Sequence, residues 1–259
     1  MILDRRRFLE GMPALLPASA MAAAEQGGKT RYYIVEQFYL ENGSQPGRMH
    51  EFCAKTLVPA MGRVHKGPLI AMEALIAPHM PQVALIVGLE SLGQMDTISK
   101  ALFGDKDFSR AFDRWEEGEA PYVSSSASLL VATPYSPEIT VAEKPPAAPR
   151  IFELRSYHSP TARQAKALHE RFAGPEIKIF HRVGVHPLFY GSTVFGQNRP
   201  SLTYLIPFES LAAREKAWNA FGADEEWVKV RKESIDRSGQ ISSVIQMSLY
   251  RGMSYSPVR

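Results

Sequence analysis

Leu85-Ile-Val-Gly-Leu-Glu-Ser-Leu92 and Leu205-Ile-Pro-Phe-Glu-Ser-Leu211 are near copies of one another, with one residue of slippage. Glu90, Ser91 and Leu92 stand 119 positions before Glu209, Ser210 and Leu211. The same offset pairs Phe108 with Trp227 and lays Tyr33-Ile-Val-Glu-Gln-Phe38 on Phe152-Glu-Leu-Arg-Ser-Tyr157; Phe103-Gly104 and Phe221-Gly222 correspond at 118. Matches gathered at one offset identify a tandem duplication, and a duplication restricts the fold more than any single motif does.

Between the copies runs Pro134-Tyr-Ser-Pro-Glu-Ile-Thr-Val-Ala-Glu-Lys-Pro-Pro-Ala-Ala-Pro149. Its five prolines cannot donate backbone hydrogen bonds and favour an extended chain, so 134–149 reads as a semi-rigid linker. It separates a first repeat, 30–133, from a second, 150–253.

The second repeat parses more clearly. Arg150 to Tyr157 alternates and is rich in strand formers. Thr161 opens a helix through Ala165, Leu168 and Phe172, at helical spacings. Gly174-Pro175 interrupts it, and a short continuation reaches Arg182. Val185 to Val194 and Leu202 to Phe208 are strand-like. Ser210 and Asp224 are suited to cap two further helices, and Ser243 to Tyr250 closes the unit as a strand. The first repeat follows the same plan, with Ser91 and Asp107 as the expected caps.

The order β-α-β-β-α-(α)-β, twice, is the split βαβ arrangement of ferredoxin-like folds. One such unit has a helix-covered sheet face and an open face that must be buried. Two units can close their sheets on each other. The fold class is therefore α+β: two tandem ferredoxin-like βαββαβ repeats forming a pseudo-dimer of the dimeric α/β-barrel type.

Composition is that of an ordinary globular chain: 259 residues, 45% apolar and 22% charged. One unit of the formal +3 comes from Arg5, Arg6 and Arg7 set against Asp4 and Glu10. A balance this small, without a basic stripe, gives no reason to expect nucleic acid. The single cysteine, Cys53, rules out an intrachain disulfide, and its helical surroundings mark it as a core thiol.

The N-terminus reads as an address. Met1-Ile-Leu-Asp-Arg-Arg-Arg-Phe-Leu9 resembles a twin-arginine export motif, with Asp4 and Glu10 at positions where other residues are more typical. A modest apolar stretch follows, ending in Ala18-Ser-Ala20, Ala20-Met-Ala22 and Ala22-Ala-Ala24, each a small-x-small cleavage signal. The expectation is a signal peptide over 1–24, export to the periplasm or beyond, and no stable membrane span.

Several segments of the second repeat together resemble the NIPSNAP family. They are Phe152-Glu-Leu-Arg-Ser-Tyr157, His169-Glu-Arg-Phe172, Gly184-Val-His-Pro-Leu-Phe-Tyr190, Leu202-Thr-Tyr-Leu-Ile-Pro-Phe208, Ala213-Arg-Glu-Lys-Ala-Trp218 and Glu226-Trp-Val-Lys-Val-Arg231, followed by Ser234. In the first repeat Arg31-Tyr-Tyr-Ile-Val-Glu36 has the same opening. The resemblance implies a barrel of the dimeric ferredoxin-like type and brings no general catalytic mechanism with it.

No catalytic constellation stands out. There is no Gly-x-Ser-x-Gly, no phosphate-binding glycine loop, and no histidine spacing that puts two imidazoles on one helical face. No metal and no cofactor is expected. His169 is placed on a helix surface, His181 near a helix end, and His186 at a strand opening near the barrel mouth. In the first strand of the second repeat Phe152, Leu154 and Ser156 point one way, and Glu153, Arg155 and Tyr157 the other.

Since helices should cover the more apolar face, the polar trio is expected inside the barrel, with Glu36 of the first repeat. Glu36, Glu153, Arg155, Tyr157 and His186 are thus the candidate ligand-binding residues, for a small molecule held between the repeats. Two other readings stay open. One is a cofactor-poor monooxygenase or haem-handling enzyme, with His186 or His181 as haem ligand. The other is a homo-oligomer or assembly module working through outer-helix residues such as Glu215, Lys216, Lys229 and Lys232.

Overall fold

The computed structural model describes residues 29–142, 144 and 146–259. The leader expected over 1–24 lies outside them. Each repeat supplies four strands: β1 (Tyr32–Tyr39), β2 (Leu69–Ile76), β3 (Gln82–Leu89) and β4 (Ser124–Ala132), then β5 (Ile151–His158), β6 (Phe189–Phe195), β7 (Ser201–Phe208) and β8 (Val244–Gly252). They close into one barrel in the order β1-β3-β2-β8-β5-β7-β6-β4, antiparallel throughout. The two seams between repeats are β2–β8 and β4–β6. Closure within one chain leaves no sheet edge for another copy to extend.

Helices cover the outside. In the first repeat these are α1 (Ser44–Phe52), α2 (Val58–Val64), α3 (Gly93–Gly104) and α4 (Lys106–Glu116); in the second, α5 (Ala162–Arg171), α6 (Ile177–Arg182), α7 (Leu211–Ala223) and α8 (Glu225–Ser238). A π-helical turn joins α1 to α2 over Cys53–Leu57, and another joins α5 to α6 over Phe172–Glu176. The two turns lie 119 residues apart. Gly174-Pro175, which reads as an interruption, sits inside the second.

Ser210 caps α7 by accepting from the Ala213 N–H at 3.1 Å, and Asp224 caps α8 through Trp227 N–H. Two expected caps are corrected. Asp105, not Asp107, caps α4, accepting from the Asp107 and Phe108 N–H groups. Ser91 offers no side-chain cap to α3, because the helix begins at Gly93 with Leu92 before it. No helix among the described residues is long and apolar enough to cross a membrane.

Among the described residues the buried apolar side chains form three clusters. Two are the sheet–helix layers, one per repeat, and the third fills the barrel. An eight-stranded barrel is only wide enough to be filled by its own side chains. One end is packed: Tyr33 stacks on Phe189 at 4.2 Å, beside Phe152, Leu205, Ile86 and Met72. Towards the other end the inward positions turn polar.

Candidate functional site

At the polar end of the barrel lies a cavity of about 190 Å³. Val35, Leu130 and Leu154 give it an apolar side. Gln37, Tyr39, Ser126 and Ser128 line it from the first repeat, and Ser156, Thr193, Thr203, Gln246 and Ser248 from the second, with Gln197 and Asn198 from the β6–β7 turn. Among the described residues no acidic or basic side chain lines it. Its polar groups are mutually ordered. The Tyr39 hydroxyl pairs with Ser126 Oγ at 2.7 Å, Ser156 Oγ with Thr203 Oγ1 at 2.9 Å, and Gln37 Nε2 donates to the Tyr250 hydroxyl at 2.9 Å. Gln82 Nε2 reaches the same oxygen at 2.6 Å.

The alternation along β5 divides its residues as expected, but the two faces are exchanged. Phe152, Leu154 and Ser156 point into the barrel, whereas Glu153, Arg155 and Tyr157 point out under the helices. Glu36 is likewise on the helix-covered face, with Ile34 and Phe38, beside Leu57, Met61 and Leu85. The physical reason is who supplies partners. The barrel's core is closed and apolar at that level, whereas α7 brings a guanidinium and an indole N–H down onto the sheet.

Glu153, wholly buried, accepts from Arg155 Nη1 at 2.6 Å, Arg214 Nε at 2.6 Å and Nη2 at 3.2 Å, and Trp218 Nε1 at 2.9 Å. The Arg155 guanidinium also lies over the Trp218 ring at 4.3 Å. A carboxylate taken out of water needs this many donors.

Next to this group is a residue the sequence reading passed over. Glu176, last in the second π-helical turn, is fully buried and accepts from Arg171 Nε at 2.7 Å through Oε2. Among the described residues its other oxygen, Oε1, meets no hydrogen-bond partner. Burial pushes its carboxyl up to about 7 despite the opposing pull of Arg171 and Arg155. Tyr157, Tyr190, Tyr204 and Phe172 surround it, their rings 5.4 to 6.0 Å apart. Burial also raises the Tyr157, Tyr190 and Tyr204 hydroxyls above the ordinary phenol range.

His186 is exposed in the loop before β6 and stacks on His181, ring centres 5.0 Å apart, so it opens no strand and lines no part of the barrel cavity. Burial, and then His186, hold the His181 imidazole below its usual value. His169 is not a surface residue either: Nδ1 meets the Tyr135 hydroxyl at 2.6 Å and Nε2 the Ser192 hydroxyl at 3.2 Å. Cys53 is buried, its thiol pushed up to about 12, in keeping with a core role. Among the described residues no three histidine, cysteine or acidic side chains gather as a metal site.

Fold and cavity together define a dimeric-type α/β barrel built within one polypeptide, with a neutral polar chamber between its halves. Residues 152–257, most of the second repeat, match the NIPSNAP family model. No curated protein sequence matches the chain. A provisionally named monooxygenase from Fusobacterium nucleatum is similar over 88% of this chain and 94% of its own, at 10% identity and a TM-score of 0.58. An anthrone oxidase-like protein is similar over 87% and 92%, at 12% identity and 0.53. A NIPSNAP-like domain protein from Burkholderia xenovorans matches over 42% of this chain and 89% of its own, at 24% identity and 0.36. The first two likenesses, at 10% and 12% identity, establish the fold and transfer no activity.

Proposed function

We propose that this protein binds a small, uncharged, hydrogen-bonding molecule in the barrel cavity between its repeats. The observation that carries this is a cavity lined by hydroxyl and amide groups from both repeats, with no charged side chain, in a barrel otherwise packed with apolar residues. A volume of 190 Å³ falls below the roughly 300 to 1,000 Å³ of sites for drug-sized ligands, which points to a compact guest.

Native mass spectrometry of the purified full chain tests the reading, with Ser156→Leu as the control that fills the chamber. A retained small molecule lost in Ser156→Leu supports it. No retained species, together with thermal shifts from neutral polar fragments that are equal in both proteins, would sink it.

The names borne by the structural neighbours support a second reading, in which this cavity holds the substrate of a cofactor-poor oxidation. Oxygen consumption with bound ligand, absent in Ser156→Leu, separates oxidation from simple binding. We also propose export by the twin-arginine route, supported by Arg5, Arg6 and the alanine-rich stretch that follows. Fusion of residues 1–24 to a reporter, with Arg5 and Arg6 both changed to Lys, tests it. Equal export of both fusions contradicts it.

A further inference from the structure

The barrel cavity is built from two corresponding halves that differ by an exchange. Gln37 faces Ser126 across β1–β4, and at the matching level of the second repeat Ser156 faces Gln246 across β5–β8. All of these side chains line the cavity. Each repeat thus contributes one carboxamide and one hydroxyl, but the carboxamide sits on the first strand of one repeat and on the last strand of the other. The two carboxamides therefore stand on β1 and β8, which only β3 and β2 separate, instead of on the opposed strands β1 and β5.

Their hydrogen bonds draw them together and leave opposite groups unused. Gln37 Nε2 donates to the Tyr250 hydroxyl at 2.9 Å, which leans its carboxamide toward β8, where Gln246 lies on the same strand face four residues away. Gln246 Oε1 is taken by the Asn198 side-chain N–H at 3.2 Å. Among the described residues Gln37 Oε1 and Gln246 Nε2 meet no hydrogen-bond partner. Neither side chain is sealed in packing: Gln37 is half-buried and Gln246 is exposed at the cavity mouth. The hydroxyls of the wall, in contrast, answer one another, Tyr39 with Ser126, Ser156 with Thr203, and Thr193 with Ser201 at 2.8 Å.

Asn198 has no equivalent in the first repeat. It belongs to the β6–β7 turn, and 119 positions earlier, in the β2–β3 turn, stands His79. His79 pairs through Nε2 with the Leu40 carbonyl at 2.9 Å and lines no part of the cavity. Asn198 is thus a positioning residue: by donating to Gln246 Oε1 it turns the Gln246 N–H groups toward the cavity.

An acceptor and a donor held on separate side chains select for a guest with its donor and acceptor on separate atoms. A hydroxyl offers both at one oxygen. The N–H and C=O of a cyclic amide lie side by side on one planar edge, and the rest of such a ring is hydrocarbon, for which Val35, Leu130 and Leu154 supply the apolar side. We propose that the guest is a small cyclic amide of the lactam or ring-ureide class, its N–H donating to Gln37 Oε1 and its carbonyl accepting from Gln246 Nε2. This assignment rests on the reading of the cavity as a binding site and adds the chemistry of what it binds.

The probes are 2-pyrrolidinone and N-methyl-2-pyrrolidinone, which differ in the N–H, titrated into the full chain and followed by NMR at the methyl groups of Val35 and Leu154. The expected result is about tenfold tighter binding of 2-pyrrolidinone, equivalent to one well-placed hydrogen bond. Gln37→Met removes the acceptor and brings the ratio of the two affinities to about one. In that variant the Tyr250 hydroxyl keeps Gln82 Nε2 at 2.6 Å, so the change strands no buried group on β8. The proposal is overturned if the parent chain binds neither lactam, if it binds both equally, or if the preference survives in Gln37→Met. A neutral guest retained in native mass spectrometry and lost in Ser156→Leu, beside equal binding of the two lactams, removes the amide class and keeps the cavity as a binding site. Loss of both signals removes both.

Discussion

Trp218 on α7 donates its indole N–H to Glu153 on β5 at 2.9 Å, joining the helical layer to the sheet through a fully buried carboxylate. This contact, with those of Arg155 and Arg214, makes Glu153 the point at which the second repeat's layers are tied together electrostatically.

Glu153→Ala leaves two guanidinium groups without their carboxylate, their side chains only 13% and 23% exposed. Breaking a buried ion pair from one side costs about 3 to 5 kcal/mol, because the surviving charge stays buried. We expect a loss of that order in urea unfolding, with a change in tryptophan emission as Trp218 loses its acceptor. A loss below about 1 kcal/mol, the range of surface pairs, would contradict the arrangement.

Glu176 sets a pH dependence whose sign follows from linkage. Its carboxyl titrates near 7 in the folded protein and near 4.5 when unfolded, so between those values the native state holds the extra proton. Stability therefore falls as pH rises through that window and levels off above it. A shift of this size is worth on the order of 3 kcal/mol, since each pK unit is about 1.4. Glu176→Gln removes the dependence. The difference in unfolding free energy between variant and parent should grow in the variant's favour from pH 4.5 to 7. A difference that stays flat over that range would show that the carboxyl is not displaced.

How much of this was legible in the sequence depends on where the partner residues lie. The duplication, the strand and helix order and the caps at Ser210 and Asp224 are local or periodic features, and periodicity is readable without a structure. The two faces of β5 were readable too, but not which of them is covered by helices. Apolarity alone favours burying Phe152 and Leu154 under the helices. What decides the matter is that Arg214 and Trp218, some sixty residues further on, come down on Glu153, and no spacing rule announces that.

Glu176 was hidden for a different reason. It follows Gly174-Pro175, which signals a break in a helix and draws attention away from the residue after it. The available signal was the repeat itself: Leu57 stands at the matching position, and a glutamate where the twin has leucine is a departure that calls for a partner.

That comparison gives a reciprocal prediction. Arg171→Phe/Glu176→Leu copies the first repeat, where Phe52 and Leu57 pack in an apolar cluster and Phe52 lies against Phe108 as Arg171 lies over Trp227. Replacing a whole buried pair by apolar residues is often neutral or stabilising, by about 1 to 4 kcal/mol. Leu57→Glu, the converse change, sets a carboxylate next to Glu36 among Met61, Leu69 and Leu85, with no arginine at position 52. It should cost about 4 kcal/mol or more, the range reserved for unpaired buried charge. Differential scanning calorimetry on both variants reads the contrast. A second-repeat double variant less stable than the parent, or a tolerated Leu57→Glu, would show that the two layers are not interchangeable.

The seams that hold the two repeats in one barrel each carry a glycine in close contact with the opposing structure. Gly252 on β8 faces Met72 of β2, and a Cβ there would meet Phe152 Cε2 at 2.7 Å; Phe152 is fully buried in the barrel core. Gly191 on β6 faces Ala132 of β4, and its Cβ would meet Leu130 Cβ at 2.8 Å. The two cases differ in what can yield. The Phe152 ring can rotate a little about its own bonds, whereas Leu130 Cβ is fixed to its backbone, so relief at Gly191 requires the strands themselves to separate. Overpacking a core costs about 1 to 3 kcal/mol. We expect Gly191→Ala to lie at the upper end of that range and Gly252→Ala at the lower. Because the damage at Gly191 falls on the β4–β6 seam, hydrogen exchange should accelerate at Thr133, whose amide donates across that seam to the Tyr190 carbonyl at 2.9 Å, before it does in β5 or β7. Uniform acceleration across all eight strands would mean instead that the repeats open only together, as one cooperative unit.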